Sequence, residues 1–296
     1  MAGKVVGETL QSYHPHSINA LCINGKRQSP IDLDIGKAIV MRWPPLHFHH
    51  YDAPGYITSH KYGQPELAQN FRNGERPYIT GGGLMGKYYL QQFHFHWGED
   101  DSSGSEHTVA RLHYPVEIHF VHILEGYNAT TALENPETIA VVAVFLQPAT
   151  KGQPLTDLEK AFDSTNIRST QSGSVEYIPQ GFLPRDTSTF FRYEGSLTTP
   201  PCTEGVIWTI LAEPSYISEQ QLDFLRSHIS AERQELLHSW REVQPLHNRP
   251  IYLNKLKVLI KSMNFEEIAP LVAFLIITLI TTAIFVQYAY EMEIFT

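Results

Sequence analysis

Short apolar runs, each bounded by Gly, Pro or Asn, recur along most of the chain and constrain its fold more than any other feature. The clearest are Ile139–Leu146 and Val206–Leu211, which are rich in β-branched residues. Such residues favour strands, and runs of this length suit a strand better than a helix. The sequence therefore predicts a mainly β domain of the α+β class.

Two capping boxes predict short helices at the periphery of this domain. Thr156 stands three residues before Glu159, and Ser218 three before Gln221. In a capping box the first side chain accepts the backbone N–H of the fourth residue, and the fourth side chain returns to the N–H of the first. With 296 residues, the chain suits one domain and an appendage.

The appendage is the segment 268–290, which has no charged side chain. A helix of that length crosses a bilayer core of about 30 Å, so we expect one transmembrane helix. A buried core helix and a glycolipid-anchor signal are the alternatives. The predicted boundaries are a divergent N-terminal segment at 1–20, a domain at 21–255, a juxtamembrane linker at 256–267 and a short tail at 291–296.

The side of the membrane on which the domain lies is open on this evidence. Lysines between 255 and 261 precede the apolar segment and none follows it, which favours a cytosolic, tail-anchored domain. The N-terminus lacks the apolar stretch of a signal peptide. The sequon Asn128-Ala-Thr130 and two cysteines, Cys22 and Cys202, favour a secretory compartment instead. These cysteines form either one disulfide or two free thiols.

Composition argues against one class of partner. The net charge is -9, and Lys and Arg form no long run. A nucleic-acid binder concentrates basic residues on one face, so we expect no nucleic-acid partner. The hydrophobic content of 42% and charged content of 18% are those of a folded globular domain.

Histidines at alternate positions indicate a metal site. Residues two apart on a strand share a face, so His94 and His96 in the run Leu90–Gly98 project together. His119, in the run Pro115–His122, would supply a third nitrogen if the two strands are neighbours. Ordinary hydrogen-bonded core histidines are the alternative.

Three neutral imidazoles leave one position of a tetrahedral zinc ion open, and water held there is acidified to a pKa of about 7. Ligating histidines need an acceptor for the outer ring nitrogen. Gln92 would serve His94 and Glu117 would serve His119, because each stands two residues before its histidine on the same face.

A second pair, His47 and His49, is followed by His50. No third ligand or orienting acceptor accompanies this pair in the pattern. Its expected place is a solvent-facing edge strand rather than a metal site.

Five motifs, in this order, resemble those of the alpha carbonic anhydrases. They are Gln28-Ser-Pro-Ile-Asp-Leu33, Gln92-Phe-His-Phe-His-Trp-Gly98, Gly104-Ser-Glu-His-Thr108, His113-Tyr-Pro-Val-Glu-Ile-His119 and Gly195-Ser-Leu-Thr-Thr-Pro-Pro-Cys-Thr203. The likeness spans roughly Cys22 to Tyr252. It implies a single domain on a large twisted, mostly antiparallel sheet, with Zn²⁺ at the bottom of a cleft.

The resemblance implies reversible hydration of carbon dioxide to bicarbonate and a proton, by attack of zinc hydroxide. The zinc ligands would be His94, His96 and His119. Thr198 would accept a hydrogen bond from the hydroxide and donate one to Glu106, which aims the nucleophile. The alternative is a catalytically silent relative that acts as a membrane binding or adhesion protein, although all five residues are present here.

The resemblance also implies where carbon dioxide would lie. An apolar wall beside the metal would receive it, and the Thr198 amide and Thr199 hydroxyl would bind the oxygen on which charge develops. The wall positions are Val121, Val141, Leu197, Val206 and Trp208.

Two further expectations follow from the resemblance. Secreted and membrane-bound members have a disulfide at the positions of Cys22 and Cys202, which favours an extracellular domain on a single-pass anchor, with a glycan on Asn128. Fast members carry a proton-shuttling histidine where this chain has Gln64, which cannot titrate. His60 is a candidate replacement because the ordinary pKa of histidine is about 6.5.

Overall fold

A computed structural model describes residues 20–59, 67–71, 75–149, 174–227 and 239–255, which form one domain dominated by strands. The helices are α1 (Ala20–Asn24), α2 (Ala129–Glu134) and α3 (Glu219–Arg226), with 3-10 turns at Pro136–Thr138 and Pro179–Phe182. The strands are β1 (Asp32–Leu33), β2 (Ile39–Met41), β3 (Leu46–His49), β4 (Gly55–Ser59), β5 (Leu67–Phe71), β6 (Tyr78–Gly81), β7 (Tyr88–Trp97), β8 (Thr108–Val109), β9 (Val116–Leu124), β10 (Ile139–Pro148), β11 (Ser174–Tyr177), β12 (Phe190–Ser196), β13 (Glu204–Leu211), β14 (Ser215–Ile217) and β15 (Tyr252–Asn254).

A ten-stranded mixed sheet forms the centre of the domain. Its order is β2-β15-β12-β13-β10-β9-β7-β6-β3, and β14 also pairs with β10. The pairings of β10 with β13, β10 with β14 and β15 with β2 are parallel, and the others in this sheet are antiparallel. Smaller sheets pair β1 with β8, and β11 with β4 and β5.

Two apolar layers cover the two faces of this sheet. Alternate residues of β10 enter different layers, so the whole run Ile139–Leu146 is buried and apolar. We call the layer that contains Phe93, Phe95, Phe120 and Val142 the first core layer. The layer that contains Val141, Tyr193, Val206, Trp208 and Ile210 is the second core layer.

Strand β7 changes face along its length because it contains a bulge. Leu90 pairs with His122 and Gln92 with Val121, so Gln91 is an extra residue in β7. Leu90 and, after the bulge, Phe93 both pack in the first core layer. In a regular strand, residues three positions apart lie on opposite faces, so the extra residue is what places Leu90 and Phe93 on the same face.

Helix α3 confirms the capping box predicted at Ser218. The Gln221 N–H donates to Ser218 Oγ at 3.2 Å, and the Ser218 N–H donates to Gln221 Oε1 at 3.4 Å. Leu222 and Leu225 pack from this helix into the first core layer. The box predicted at Thr156 lies outside the described residues.

Of the helices in the described part of the chain, none has both the length and the apolar character needed to cross a bilayer. The predicted transmembrane helix at 268–290, its linker at 256–267 and the tail at 291–296 lie outside that part. So do residues 1–19, together with His60 and Gln64.

Candidate active site

Three histidines converge on the face of the sheet that carries the second core layer. Strands β7 and β9 are antiparallel neighbours, as predicted, and His94 lies opposite His119. The ring centroids are 5.0 Å apart for His94 and His96, 5.2 Å for His94 and His119, and 4.4 Å for His96 and His119. One ring nitrogen from each lies within 4.8 Å of the others, so the three can share one ion.

Each histidine has an acceptor for its outer nitrogen. Nδ1 of His94 lies 2.8 Å from Gln92 Oε1, and Nε2 of His119 lies 2.7 Å from Glu117 Oε1, so both expected hydrogen bonds are present. Nδ1 of His96 lies 2.5 Å from the Ser239 carbonyl oxygen. These bonds direct Nε2 of His94, Nε2 of His96 and Nδ1 of His119 inwards as lone-pair donors.

The Ser239 carbonyl was not predicted from the sequence. Its partner is 143 positions away in the chain. Any non-terminal residue offers a backbone carbonyl, so residue type carries no signal for this role.

A chain of buried hydrogen bonds supports Glu117 from behind. Its Oε1 also accepts from His107 Nδ1 at 2.7 Å, and its Oε2 accepts from the His107 backbone N–H at 2.8 Å. His107 Nε2 lies 2.7 Å from Tyr193 Oη, which lies 2.7 Å from Ser29 Oγ. His107 was missed as a functional candidate, although its place beside Glu106 in a carbonic anhydrase motif was a usable signal.

These contacts keep Glu117 ionised. Burial alone would raise the pKa of its carboxyl, but the charges and hydrogen bonds of His107 and His119 hold that pKa well below its usual range. An ionised carboxylate accepts the Nε2–H of His119, so the proton stays on the outer nitrogen.

Burial also keeps the first two histidines neutral. It lowers the pKa of His94 well below its ordinary value, and repulsion from His96 and His119 lowers it further. Burial lowers the pKa of His96 as well, against the attraction of Glu106. Only a neutral imidazole has a lone pair for a metal, so both residues are suitable ligands at neutral pH.

Glu106 lies at the floor of the site. Its Oε1 accepts the backbone N–H of Arg241 at 2.9 Å. Its Oε2 is buried without a hydrogen-bond partner in the described part of the chain, 3.6 Å from His96 Nε2 and 3.8 Å from His119 Nδ1. The described residues show no hydrogen bond between Thr198 and Glu106, although one was expected.

The predicted apolar wall lies beside the histidines. Val141, Val206 and Trp208 belong to the second core layer, and the partly buried Val121 and Leu197 pack against it. The Trp208 ring centroid is 4.8 Å from that of His119. The five positions thus belong to one apolar layer, in which Trp208 lies next to a ligand histidine.

The loop that carries Thr198 and Thr199 is joined by a disulfide to another part of the domain. Thr198 is half-buried and Thr199 is exposed. The Thr199 carbonyl accepts the Cys202 N–H at 2.9 Å. A disulfide joins Cys202 to Cys22, which decides between the two alternatives left open for these cysteines.

Donor chemistry and spacing fit a tetrahedral zinc ion. Zn–N distances of about 2.0–2.1 Å place the nitrogens about 3.3 Å apart. His96 Nε2 and His119 Nδ1 are 3.0 Å apart, and the unpartnered Glu106 Oε2 adds negative charge beside them. A second possible group, His107 with Glu117 and His119, is engaged in hydrogen bonds among its own members.

Comparison with known proteins agrees with this geometry. The family model of eukaryotic-type carbonic anhydrases matches residues 11–255. A Caenorhabditis elegans protein named "Putative carbonic anhydrase 5" is 41% identical over 248 residues, which cover 80% of this chain and 78% of that protein. Human "Carbonic anhydrase 3" is 36% identical over 184 residues, which cover 60% of this chain and 70% of that protein.

A family model that covers most of the chain and a relative at this level of identity support the same conclusion as the three converging histidines. The chain therefore belongs to the eukaryotic-type, or alpha, carbonic anhydrase family, whose members depend on zinc.

Proposed function

We propose that this protein catalyses the reversible hydration of carbon dioxide to bicarbonate and a proton, with Zn²⁺ as its cofactor. One observation carries the proposal: the inward nitrogens of His94, His96 and His119 converge, while each outer nitrogen has its own acceptor. Such an arrangement is preorganised for a metal rather than for a histidine cluster in a core.

Zinc bound here supplies a water molecule acidified enough to act as a nucleophile near neutral pH. In their neutral form the histidines would hold the metal, and Glu117 would keep the proton of His119 on the outer nitrogen. His94, His96 and His119 would be the protein ligands of the zinc ion.

The remaining residues would bind and orient the substrate. Carbon dioxide is small and apolar, so the surface of Val141, Val206 and Trp208 would receive it and exclude bulk water. The Thr198 amide and the Thr199 hydroxyl would bind the oxygen on which negative charge develops.

We assign Thr198 the orienting role and Glu106 the role of its acceptor. Glu106 Oε2 supports this assignment, because it is buried and has capacity for one more hydrogen bond. When the Thr198 hydroxyl donates a hydrogen bond to that oxygen, its own lone pairs remain available to accept a hydrogen bond from the reacting water.

Stopped-flow hydration of carbon dioxide by the purified full-length chain tests the proposal, with zinc content measured on the same sample. We expect about one zinc per chain, and loss of both zinc and hydration in His94→Ala. His50→Ala is the matched control, since it removes an exposed histidine outside the ligand set. Full zinc occupancy without hydration would overturn the proposal and favour the silent binding protein.

Proton release is the second step to test. Gln64 cannot carry a proton, so we expect the hydration rate of the wild type to rise with buffer concentration. If His60 acts as the shuttle, His60→Ala steepens that dependence; if it does not, the two curves coincide.

We propose that the domain faces the outside of the cell on a single-pass anchor at 268–290, as in membrane-bound members of the family. The disulfide supports an oxidising compartment, and Asn128 is exposed, as a glycan acceptor must be. Expression in cells, followed by glycosidase treatment, should shift the mobility of the wild type but not of Thr130→Ala. A wild type without any shift, cleaved by added protease only after the cells are opened, would indicate a cytosolic domain.

A further inference from the structure

Strand β3 presents two histidines on an exposed face, far from the zinc ligands. It stands at one end of the strand order and pairs with β6. Leu46 is buried in the first core layer and Phe48 packs against it. His47 and His49 alternate with these residues, so they share the opposite, outward face, where His47 is exposed and His49 is half-buried.

The two rings are almost close enough to share an ion. Their centroids are 6.2 Å apart with the ring planes at 51°. Within the zinc triad the largest centroid separation is 5.2 Å, so the rings must approach by about 1 Å. An exposed histidine can do this by a change of side-chain rotamer.

There is room for that movement beside His47. Its side chain borders a cavity of about 660 Å³, lined mainly by polar groups. Asp52 and Arg185 are among them, and their opposite charges leave the cavity without a strong bias against a cation.

Two contacts hold the His49 ring in place. Its Nε2 lies 2.9 Å from Thr80 Oγ1, and its ring stacks on Tyr78 at a centroid distance of 4.4 Å and an angle of 8°. A proton donated to Thr80 leaves the Nδ1 lone pair free. Burial lowers the pKa of His49, and the charges of His47, His50 and Lys87 lower it further, so the ring is neutral at neutral pH.

We propose that His47 and His49 chelate a divalent transition-metal ion at a surface site separate from the zinc centre, with Cu²⁺ bound most tightly. Imidazole nitrogen suits the later first-row metals, and Cu²⁺ forms the strongest complexes of that series. One nitrogen comes from each ring, and water completes the coordination. Binding at this site does not depend on the proposed hydration activity.

His50 stands outside the pair. Its backbone has a positive φ of 57°, which turns the chain at the end of β3. Its Nδ1 lies 3.6 Å from the carboxylate of Glu75. His50 is therefore the matched control, because it is an exposed neighbouring histidine that the chelate does not use.

The experiment uses the full-length, zinc-loaded protein and Cu²⁺-iminodiacetate, a complex that keeps two adjacent coordination positions free. Binding is followed by titration and by electron paramagnetic resonance, which counts the coordinated imidazole nitrogens. We expect a wild-type site with two imidazoles. His47→Ala and His49→Ala should each weaken it by about 100-fold, because either loss removes the chelate.

His50→Ala should leave this binding unchanged, and the zinc content of all three variants should equal that of the wild type, which shows that they are folded. If His50→Ala weakens binding as much as the other two, the donors have been wrongly assigned. If neither His47→Ala nor His49→Ala weakens it, copper binds elsewhere and the proposal is overturned.

Discussion

Replacing Glu117 with Gln tests how strongly zinc binding depends on the hydrogen bonds behind the ligands. Glu117 is fully buried and accepts three N–H groups, one from His119 and two from His107. A Gln amide has one acceptor oxygen and one NH₂ donor, so in either orientation at least one of those N–H groups faces another donor. If the NH₂ faces His119, the proton of that ring must move to Nδ1 and block the metal-facing lone pair.

The loss of an outer acceptor reduces metal affinity by about 10- to 100-fold, which corresponds to about 1.4–2.8 kcal/mol. We expect Glu117→Gln to fall at the upper end, because the mismatched donors are buried. Zinc affinity is measured by competition with a chromophoric chelator, and hydration is measured at saturating zinc. Glu134→Gln, at an exposed site, is the control. An affinity within about twofold of the wild type would refute the role given to Glu117.

Three further predictions concern stability and substrate access. Replacing both Cys22 and Cys202 by Ser removes a crosslink between residues 180 positions apart. In the chain-entropy model this should lower the free energy of unfolding, measured in urea, by about 5 kcal/mol. An unchanged unfolding midpoint would contradict this prediction. Burial lowers the pKa of His122 to about 3 in the folded protein, whereas the ordinary value is about 6.5. As the pH drops, the unfolded chain therefore binds a proton at this histidine before the folded chain does, and the free energy of unfolding falls between about pH 6.5 and 3. His122→Gln should reduce the change of unfolding free energy with pH by up to about 1.4 kcal/mol per pH unit. Unfolding at several pH values measures this slope, and equal slopes for the variant and the wild type would show that His122 contributes nothing. Val141→Tyr fills the apolar wall and should reduce hydration by about 100-fold at full zinc content, whereas an unaffected rate would place carbon dioxide elsewhere.

Strong local patterns made much of the site predictable. Alternation within β7 placed His94 and His96 on one face, and the spacing of Glu117 before His119 predicted their hydrogen bond. The capping box at Ser218 predicted the start of α3. In each case the physical cause lies within a few residues, so the sequence alone carries it.

Contacts between distant segments were not predictable in this way. The parallel pairing of β10 with β13 depends on the order of strands in the whole sheet, which periodicity does not determine. The Ser239 carbonyl and the Arg241 N–H serve His96 and Glu106 through backbone atoms that every residue type shares. The disulfide pairing came from the family resemblance, since two cysteines alone left it open.

The bulge at Gln91 has a consequence for how this protein can vary. Deleting that single residue would remove the bulge and keep the pairing of Leu90 with His122 and of Gln92 with Val121, so the remaining side chains would stay on their present faces. Inserting one further residue beside Gln91 would exchange the faces on one side of the bulge, so that either Phe93 and Phe95 or the preceding Leu90 would leave the first core layer. We therefore expect relatives that retain the metal site to tolerate loss of one residue between positions 88 and 92 but no insertion there, whereas insertions accumulate in surface loops.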